Sequence, residues 1–214
     1  MQVCSVCGRT EKETRMYSNL CRKHYLQMKR HGKTYERTIY DKNPIEIDEE
    51  NGVAYMTCFD RYGNKTCTTR FDAEFVDKVS KYKWYVRLNH ISGLLYVMGS
   101  ISANKKIFLH RFLIDAPRNM IVDHINHDTL DNLKENLRLC TNRQNSCNRK
   151  YNTSRKYPGV FQQYKTSTRW SATITVNYKN IWLGVFNTYE EALAARLAAE
   201  QKYFGEFRYT GHGK

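Results

Sequence analysis

The chain has 214 residues, of which 41% are hydrophobic, and carries a formal charge of +14 with an isoelectric point near 9.5. That apolar share excludes global disorder. No uncharged apolar run approaches the ~18 residues of a membrane span, and the opening MQVCSVCGRT holds no apolar signal region, so a soluble intracellular protein is expected. The positive excess calls for a polyanionic partner, nucleic acid or an anionic membrane surface. Sixteen Tyr, nine Phe and three Trp accompany it. Seven cysteines in a reducing compartment point to metal binding before disulfides.

The first module spans residues 1–36. Cys4 and Cys7 are two residues apart, as are Cys21 and His24, and thirteen residues separate the pairs. A two-residue gap lets both members of a pair reach one ion, and three thiolates with one imidazole suit tetrahedral Zn²⁺. So short a segment needs a staple to fold. His31 is an alternative fourth ligand, and the alternative to a metal is two coincidental pairs in a buried hairpin. Residues Arg22 to Arg30 read as a short basic helix, resting on phosphates or simply solvated.

Residues 35–50 read as a polar linker with Pro44 and an acidic run. VAYMTCFDRYGNKTCTTRF then reads as two β runs about a Tyr62-Gly63 turn, which sets Cys58 opposite Cys67 as reduced thiols. WYVRL, LLYVMGSI and KKIFLHRFLI extend a small antiparallel sheet. Next comes VDHINHDTLDNLKENLRLCTNRQNS, dense in asparagine, a residue that regular structure disfavours. Asp123 and His124 fall at a strand end, residues 126–136 form a polar connection, and 136–139 offer a second strand. Thr141 and Gln144 have capping-box spacing, so a helix is expected from near Asn142 through Arg149. Packed across the two strands, that helix can bring Asn145 to Asp123, with His124 beside both. A carboxylate and an amide oxygen suit Mg²⁺ or Mn²⁺. A neutral histidine next to such an ion can activate water.

LHRFL followed by VDHINHDTLDNLKENLRLCTNRQN resembles the His-Asn-His (HNH) nuclease motif of phage and intron-encoded homing endonucleases. The resemblance covers roughly residues 50–150 and implies a ββα-metal fold that cuts DNA with a divalent ion. It implies Asp123 and Asn145 as metal ligands, His124 as general base and Asn136 as the asparagine that ties the loop together. His110 matches the upstream His-Arg pair, as a phosphate contact or a structural residue. His127 stands where the family often has glycine and is taken as structural. Cys140 and Cys147 are expected as core thiols.

The third module, 157–210, follows a basic linker, Arg149 to Lys156. GVFQQY, RWSATITV and NIWLGVF read as three strands. In the middle one Trp170, Ala172, Ile174 and Val176 alternate with Ser171, Thr173 and Thr175, an apolar and a polar face. Thr188 and Glu191 form another capping box, Gly205 stops the helix, and Ala192, Ala195, Ala198 and Ala199 permit close packing. Y-x-G-V, W-x-A-x-I and I-W-L-G-x-F-x-T-x-E-E-A resemble the plant ethylene-response-factor (Apetala-type) DNA-binding domain. The resemblance places Phe161, Gln163, Thr173, Thr175 and Trp182 on a DNA-facing sheet surface. Lys165, Arg169 and Lys179 are basic candidates near it.

The expectation is therefore an α+β, multi-module protein: zinc finger (1–36), ββα-metal nuclease (45–150) and DNA-binding sheet with helix (157–210). Its expected activity is site-selective hydrolysis of double-stranded DNA with Mg²⁺ or Mn²⁺ and structural Zn²⁺. A monomer that nicks one strand, without a membrane partner, in the cytoplasm of a bacterium or phage-infected host, completes it. The rivals are a DNA-binding regulator with an inactive nuclease core, and an RNA-binding zinc protein resting on charge and aromatics alone.

Overall fold

The computed structural model describes residues 2–35, 37, 41–149, 157–164 and 168–211. Among them the protein is α+β, built from several small sheets and few helices, and no helix is long and apolar enough to cross a membrane. It forms two compact units, Met1–Ala116 with His127–Arg138 and Pro117–Asn126 with Leu139–Lys214.

The first unit opens with β1 (Met16–Tyr17) and β2 (Leu20–Cys21), an antiparallel hairpin running straight into α1 (Arg22–His31). The expected basic helix is thus present. Gly32 ends it at φ 68, its N–H bonded to the Met28 carbonyl, a conformation glycine adopts without a Cβ penalty. β3 (Ile45–Asp48), β4 (Val53–Phe59) and β5 (Lys65–Asp72) make a three-stranded antiparallel sheet in that order. The segment read as a polar linker therefore contains a strand. Ile45 and Ile47 lie opposite Met56 and Ala54, an alternation masked in sequence by Glu46 and Asp48. Cys58 does face Cys67, and both are free thiols. Its hydrogen bond with Cys67 and its burial hold Cys58 above the ordinary thiol range, and the same bond holds Cys67 below it.

After a 3-10 turn (Ala73–Phe75) and α2 (Val76–Val79), β6 (Lys83–Leu88), β7 (Leu95–Ser102) and β8 (Lys105–Phe108) form a second antiparallel sheet. The run KKIFLHRFLI is not one strand. Its second half is α3 (Leu109–Leu113), because Leu109, Phe112 and Leu113 share one face at helical spacing and are all buried. The core of this unit gathers Ala54, Met56, Phe71, Val79, Trp84, Val97, Leu109 and Leu113. Trp84 is its largest member, and its indole N–H donates to the Val79 carbonyl at 2.9 Å. Gly99 lies opposite Trp84 across the β6–β7 ladder, and a Cβ there would sit 2.7 Å from the ring.

The second unit contains β9 (Ile121–His124), which pairs with β10 (Leu137–Cys140), the strand through which the chain crosses from one unit to the other. α4 (Asn142–Cys147) follows, with the expected Thr141–Gln144 capping box complete. It stops two residues earlier than expected. Cys140 is buried, whereas Cys147 is only half-buried and is no core thiol. Most of the expected linker, 150–156, falls outside the described residues.

β11 (Val160–Gln162), β12 (Trp170–Val176) and β13 (Lys179–Phe186) form an antiparallel sheet in that order, followed by α5 (Tyr189–Phe204) with the expected Thr188–Glu191 box and Gly205 stop. Val160, Ala172 and Ala192 meet in the core, ringed by Tyr157, Trp170, Leu183, Phe186 and Tyr189. Ala199 is buried as expected, Ala195 is half-buried and Ala198 is exposed. Glu200, fully buried, is paired with Arg196 at 3.1 Å and accepts from the Tyr157 hydroxyl, so its charge is compensated.

The outer face of this sheet is less polar than its sequence suggests. Ser171 is fully buried, its hydroxyl without a partner, in register between Phe161 and Val185, both exposed apolar residues. Between Ala172 and Thr173 the register shifts, so Leu183 is the extra residue on β13 and Trp182 lines up with Thr173. Gly159, at φ 81, approaches β12 so closely that a Cβ would lie 2.3 Å from the Thr173 carbonyl oxygen.

Both close glycines yield a stability test. Gly99→Ala should cost about 1–3 kcal/mol through overpacking against Trp84. Gly159→Ala should cost at least as much, because the backbone oxygen cannot yield and an L residue there adds ~1–2 kcal/mol of left-handed strain. Urea titrations of each variant, read as a lower midpoint at constant slope, measure this.

Candidate active site and metal centre

In the second unit β9 ends on the two residues singled out for chemistry. Asp123 is 8% exposed and His124 6%. Buried polar groups require partners, and Asn148 is one of Asp123's. Its side-chain amide donates to Asp123 Oδ2 at 3.0 Å and lies 3.4 Å from the carbonyls of His124 and Ile125. Asn148 is itself 4% exposed. This explains the early end of α4. Asn148 takes the C-cap position, at φ −83 and ψ 36, and turns its amide into β9 instead of continuing the helix. Asn145 is exposed on α4, with its backbone N–H on the Thr141 carbonyl. The asparagine in contact with Asp123 is thus one helical turn beyond the one expected. Asn148 lies three residues beyond Asn145, past the end of the helix, where a C-cap side chain can turn back to a neighbouring strand.

In the first unit the polar connection is held like a strand. Arg70 and Asp131 form a parallel bridge on β5. The Arg70 N–H donates to the Leu130 carbonyl at 3.0 Å, and the Asn132 N–H donates to the Arg70 carbonyl at 2.8 Å. The Arg70 guanidinium grips Asp131 through both oxygens, at 3.0 and 2.7 Å. The hydrogen bond to Asp131 raises the guanidinium above its ordinary pKa, with burial opposing it. Thr69 donates to the Leu130 carbonyl and accepts from the Asn132 amide. Asn136 donates its amide to the Asp131 carbonyl at 2.8 Å. His127 stands at φ 65, the left-handed region that suits glycine. His110, on α3, is buried, stacked on Phe108 with ring centroids 5.4 Å apart and edge-on to Tyr96.

Cys4, Cys7, Cys21 and His24 converge in the first unit, their ligand atoms all within 4.8 Å of one another. His24 Nδ1 lies 3.2 Å from Cys4 Sγ and 3.3 Å from Cys21 Sγ, and the Cys7 and Cys21 sulfurs are 3.8 Å apart. A tetrahedron around zinc has edges of about 3.5–3.8 Å for such ligands; the sulfur pair matches and the two nitrogen–sulfur distances are slightly shorter, so the four donors are gathered tightly enough to surround one such ion. Burial opposes ionisation of Cys4, but the Cys21 N–H, the His24 ring and the Val6 and Cys7 N–H groups prevail and lower it to about 5. Burial, with the Cys4 and Cys21 thiols, raises Cys7. His24 Nε2 is bonded to the Tyr35 carbonyl at 3.0 Å, which leaves Nδ1 for an ion. His31 is outside this cluster.

On the outer face of the C-terminal sheet, Thr173 is half-buried and Thr175 exposed, Lys179 is exposed at the start of β13, and Trp182 is 55% exposed. Phe161, Gln163 and Arg169 are exposed as well. Lys165 lies outside the described residues.

The HNH endonuclease family matches residues 115–147. An uncharacterised HNH endonuclease of Acanthamoeba polyphaga mimivirus is 33% identical over 133 residues, 60% of this chain and 66% of that relative. The chain thus spans just under two thirds of the length of the curated relative. No solved structure matches. The stretch matched by the HNH endonuclease family, residues 115–147, contains β9, β10 and α4.

Proposed function

We propose that the protein is a metal-dependent DNA endonuclease of the homing type, and that the bond between Asn148 and Asp123 is the observation that carries the reading. It ties the helix to the strand end at the two residues with the right chemistry. His124 takes the proton from a water as that water's oxygen attacks phosphorus, and the bond from phosphorus to the leaving oxygen breaks. The oxygens of Asp123 and Asn145 suit Mg²⁺ or Mn²⁺, which when bound stabilises charge on that leaving oxygen. Asn148 orients the Asp123 carboxylate, Asn136 holds the connecting loop, and His110 touches a phosphate or braces the strand before it.

The N-terminal module in this reading is a zinc finger over residues 1–36. The nuclease spans 45–150 and a groove-reading sheet with ethylene-response-factor likeness spans 157–210. Thr173, Thr175, Lys179, Trp182, Arg169 and Lys165 are its contact candidates. The exposed aromatic and apolar residues beside them favour contact with bases or sugars as well as phosphates. Localisation follows the DNA, in the cytoplasm of a bacterium or infected host.

Three outcomes test this. His124→Ala should slow cleavage ~10²–10⁴-fold at unchanged DNA affinity, because a general base acts in the transition state. Asn148→Ala should also slow it; a His124→Ala protein that cuts like the parent overturns the base assignment, and an Asn148→Ala protein that does so overturns the orienting role of Asn148. Second, the chain holds one such constellation, so a supercoiled plasmid carrying the target should accumulate open circles before linear product appears. Linear product without that intermediate rejects a monomeric nickase. Third, freshly purified protein should contain one zinc per chain. Chelation should unfold the N-terminal module, since structural zinc supplies ~10–16 kcal/mol in small modules. Metal analysis and circular dichroism together read this.

A further inference from the structure

The zinc module and the first two sheets share a groove that the nuclease chemistry does not use. It encloses about 530 Å³ and is lined by Arg9, Lys23 and Arg30 from the module and by Arg61 and Lys83 from the sheets. The four cations other than Lys23 are exposed. The one acid lining it, Asp41, is bound by Lys23 at 2.6 Å, so that pair cancels and four cationic side chains remain. They come from four separate places in the chain: the first loop, α1, the β4–β5 turn and the start of β6. Like charges gather at this density against mutual repulsion, which an anionic partner relieves.

Tyr35 is one residue that joins the two walls. Tyr35 is 8% exposed and its ring lies 5.3 Å from that of Tyr62, next to Arg61 in the β4–β5 turn. The Arg61 guanidinium rests over the Tyr62 ring at 4.8 Å. The backbone of Tyr35 is held from the other side, its N–H donating to Gln27 Oε1 and its carbonyl bonded to His24 Nε2. His24 is the imidazole of the cysteine cluster. A chain of contacts therefore runs from the metal ligands through Tyr35 and Tyr62 to the opposite wall.

We infer that this groove is a phosphate-backbone site for duplex DNA, built jointly by the zinc module and the first two sheets, and that the zinc ligands set its width through Tyr35. Its occupant rests on the nuclease reading, which supplies duplex DNA as substrate. The charge and the groove are independent of it. The finger then acts as half of a clamp on the backbone and adds affinity without sequence choice.

The test is fluorescence anisotropy of the full chain with a labelled DNA duplex of arbitrary sequence, over a range of KCl concentrations. Arg61→Glu with Lys83→Glu should weaken binding about tenfold or more and flatten the salt slope by about 1.8, at ~0.9 per lost phosphate contact. Lys105→Glu with Lys106→Glu, on exposed β8 residues, makes the same charge change elsewhere and should weaken binding less. Tyr35→Ala, with zinc content measured, should also weaken binding although both cations remain. Equal loss in the two charge-reversal pairs, or wild-type binding by the Arg61/Lys83 pair, overturns the groove. Wild-type binding by Tyr35→Ala overturns the link to the zinc ligands. Tighter binding of a matching RNA duplex overturns the choice of DNA. Cleavage of plasmid by the same proteins separates the two ideas. A groove variant that binds poorly alongside a His124→Ala protein that still cuts leaves the groove standing and removes the catalytic assignment.

Discussion

The grip of Arg70 on Asp131 is what makes an eleven-residue polar connection behave as part of a core. Loops ordinarily stay at the surface, since buried backbone must find partners for every N–H and carbonyl. Here the segment borrows the edge of β5, with backbone bonds at Leu130 and Asn132 on either side of the ion pair. Asp131 is 3% exposed, and a carboxylate so placed is tolerable only with its charge matched and its oxygens occupied. The asparagines follow from the same constraint. Asn132 reaches Thr69, and Asn136 reaches the Asp131 carbonyl. Their amides make the hydrogen bonds that water would make at a surface, whereas Asn126, Asn142 and Asn145 are exposed.

Small size governs the N-terminal module in a similar way. It has two-residue strands and one helix, too little apolar surface to hold itself together. Cys4, Cys21 and His24 are its buried centre, and that centre is polar. The ring nitrogen of His24 that faces away from the sulfurs anchors Tyr35, so the cluster organises chain well beyond its own ligands. With an ion held by this cluster, metal affinity and local folding would be one quantity in this part of the protein.

Local chemistry was the legible part of the sequence. Thr141 with Gln144 and Thr188 with Glu191 announced helix starts because a capping box is made within four residues and needs no tertiary context. The cysteine pairs were legible for the same reason. What escaped depended on neighbours far along the chain. KKIFLHRFLI reads as strand until the core selects the helical face of Leu109, Phe112 and Leu113. Ile45 and Ile47 gain meaning only once β4 lies beside them. Ser171 sits in a polar alternation but is buried between cross-strand Phe161 and Val185, and the shift that turns Trp182 outward leaves no mark in the pattern. Asn148 shows no signal in the sequence because its role depends on the strand end it caps against, Asp123 and His124, brought beside it only by the fold.

α4 has six residues, well under the length at which a helix persists by its own backbone bonds. It exists because it is fastened at both ends, by Thr141 and Gln144 at the start and by Asn148 on Asp123 and the β9 carbonyls at the finish. A segment of this kind opens as a unit and does so well before the protein as a whole unfolds. The lifetime of the arrangement around Asp123 is therefore set by a local equilibrium. The amide protons of residues 145–147 should exchange with solvent faster than those of β4 and β5, and the global stability of the fold would be a poor guide to how much of the time this site is assembled.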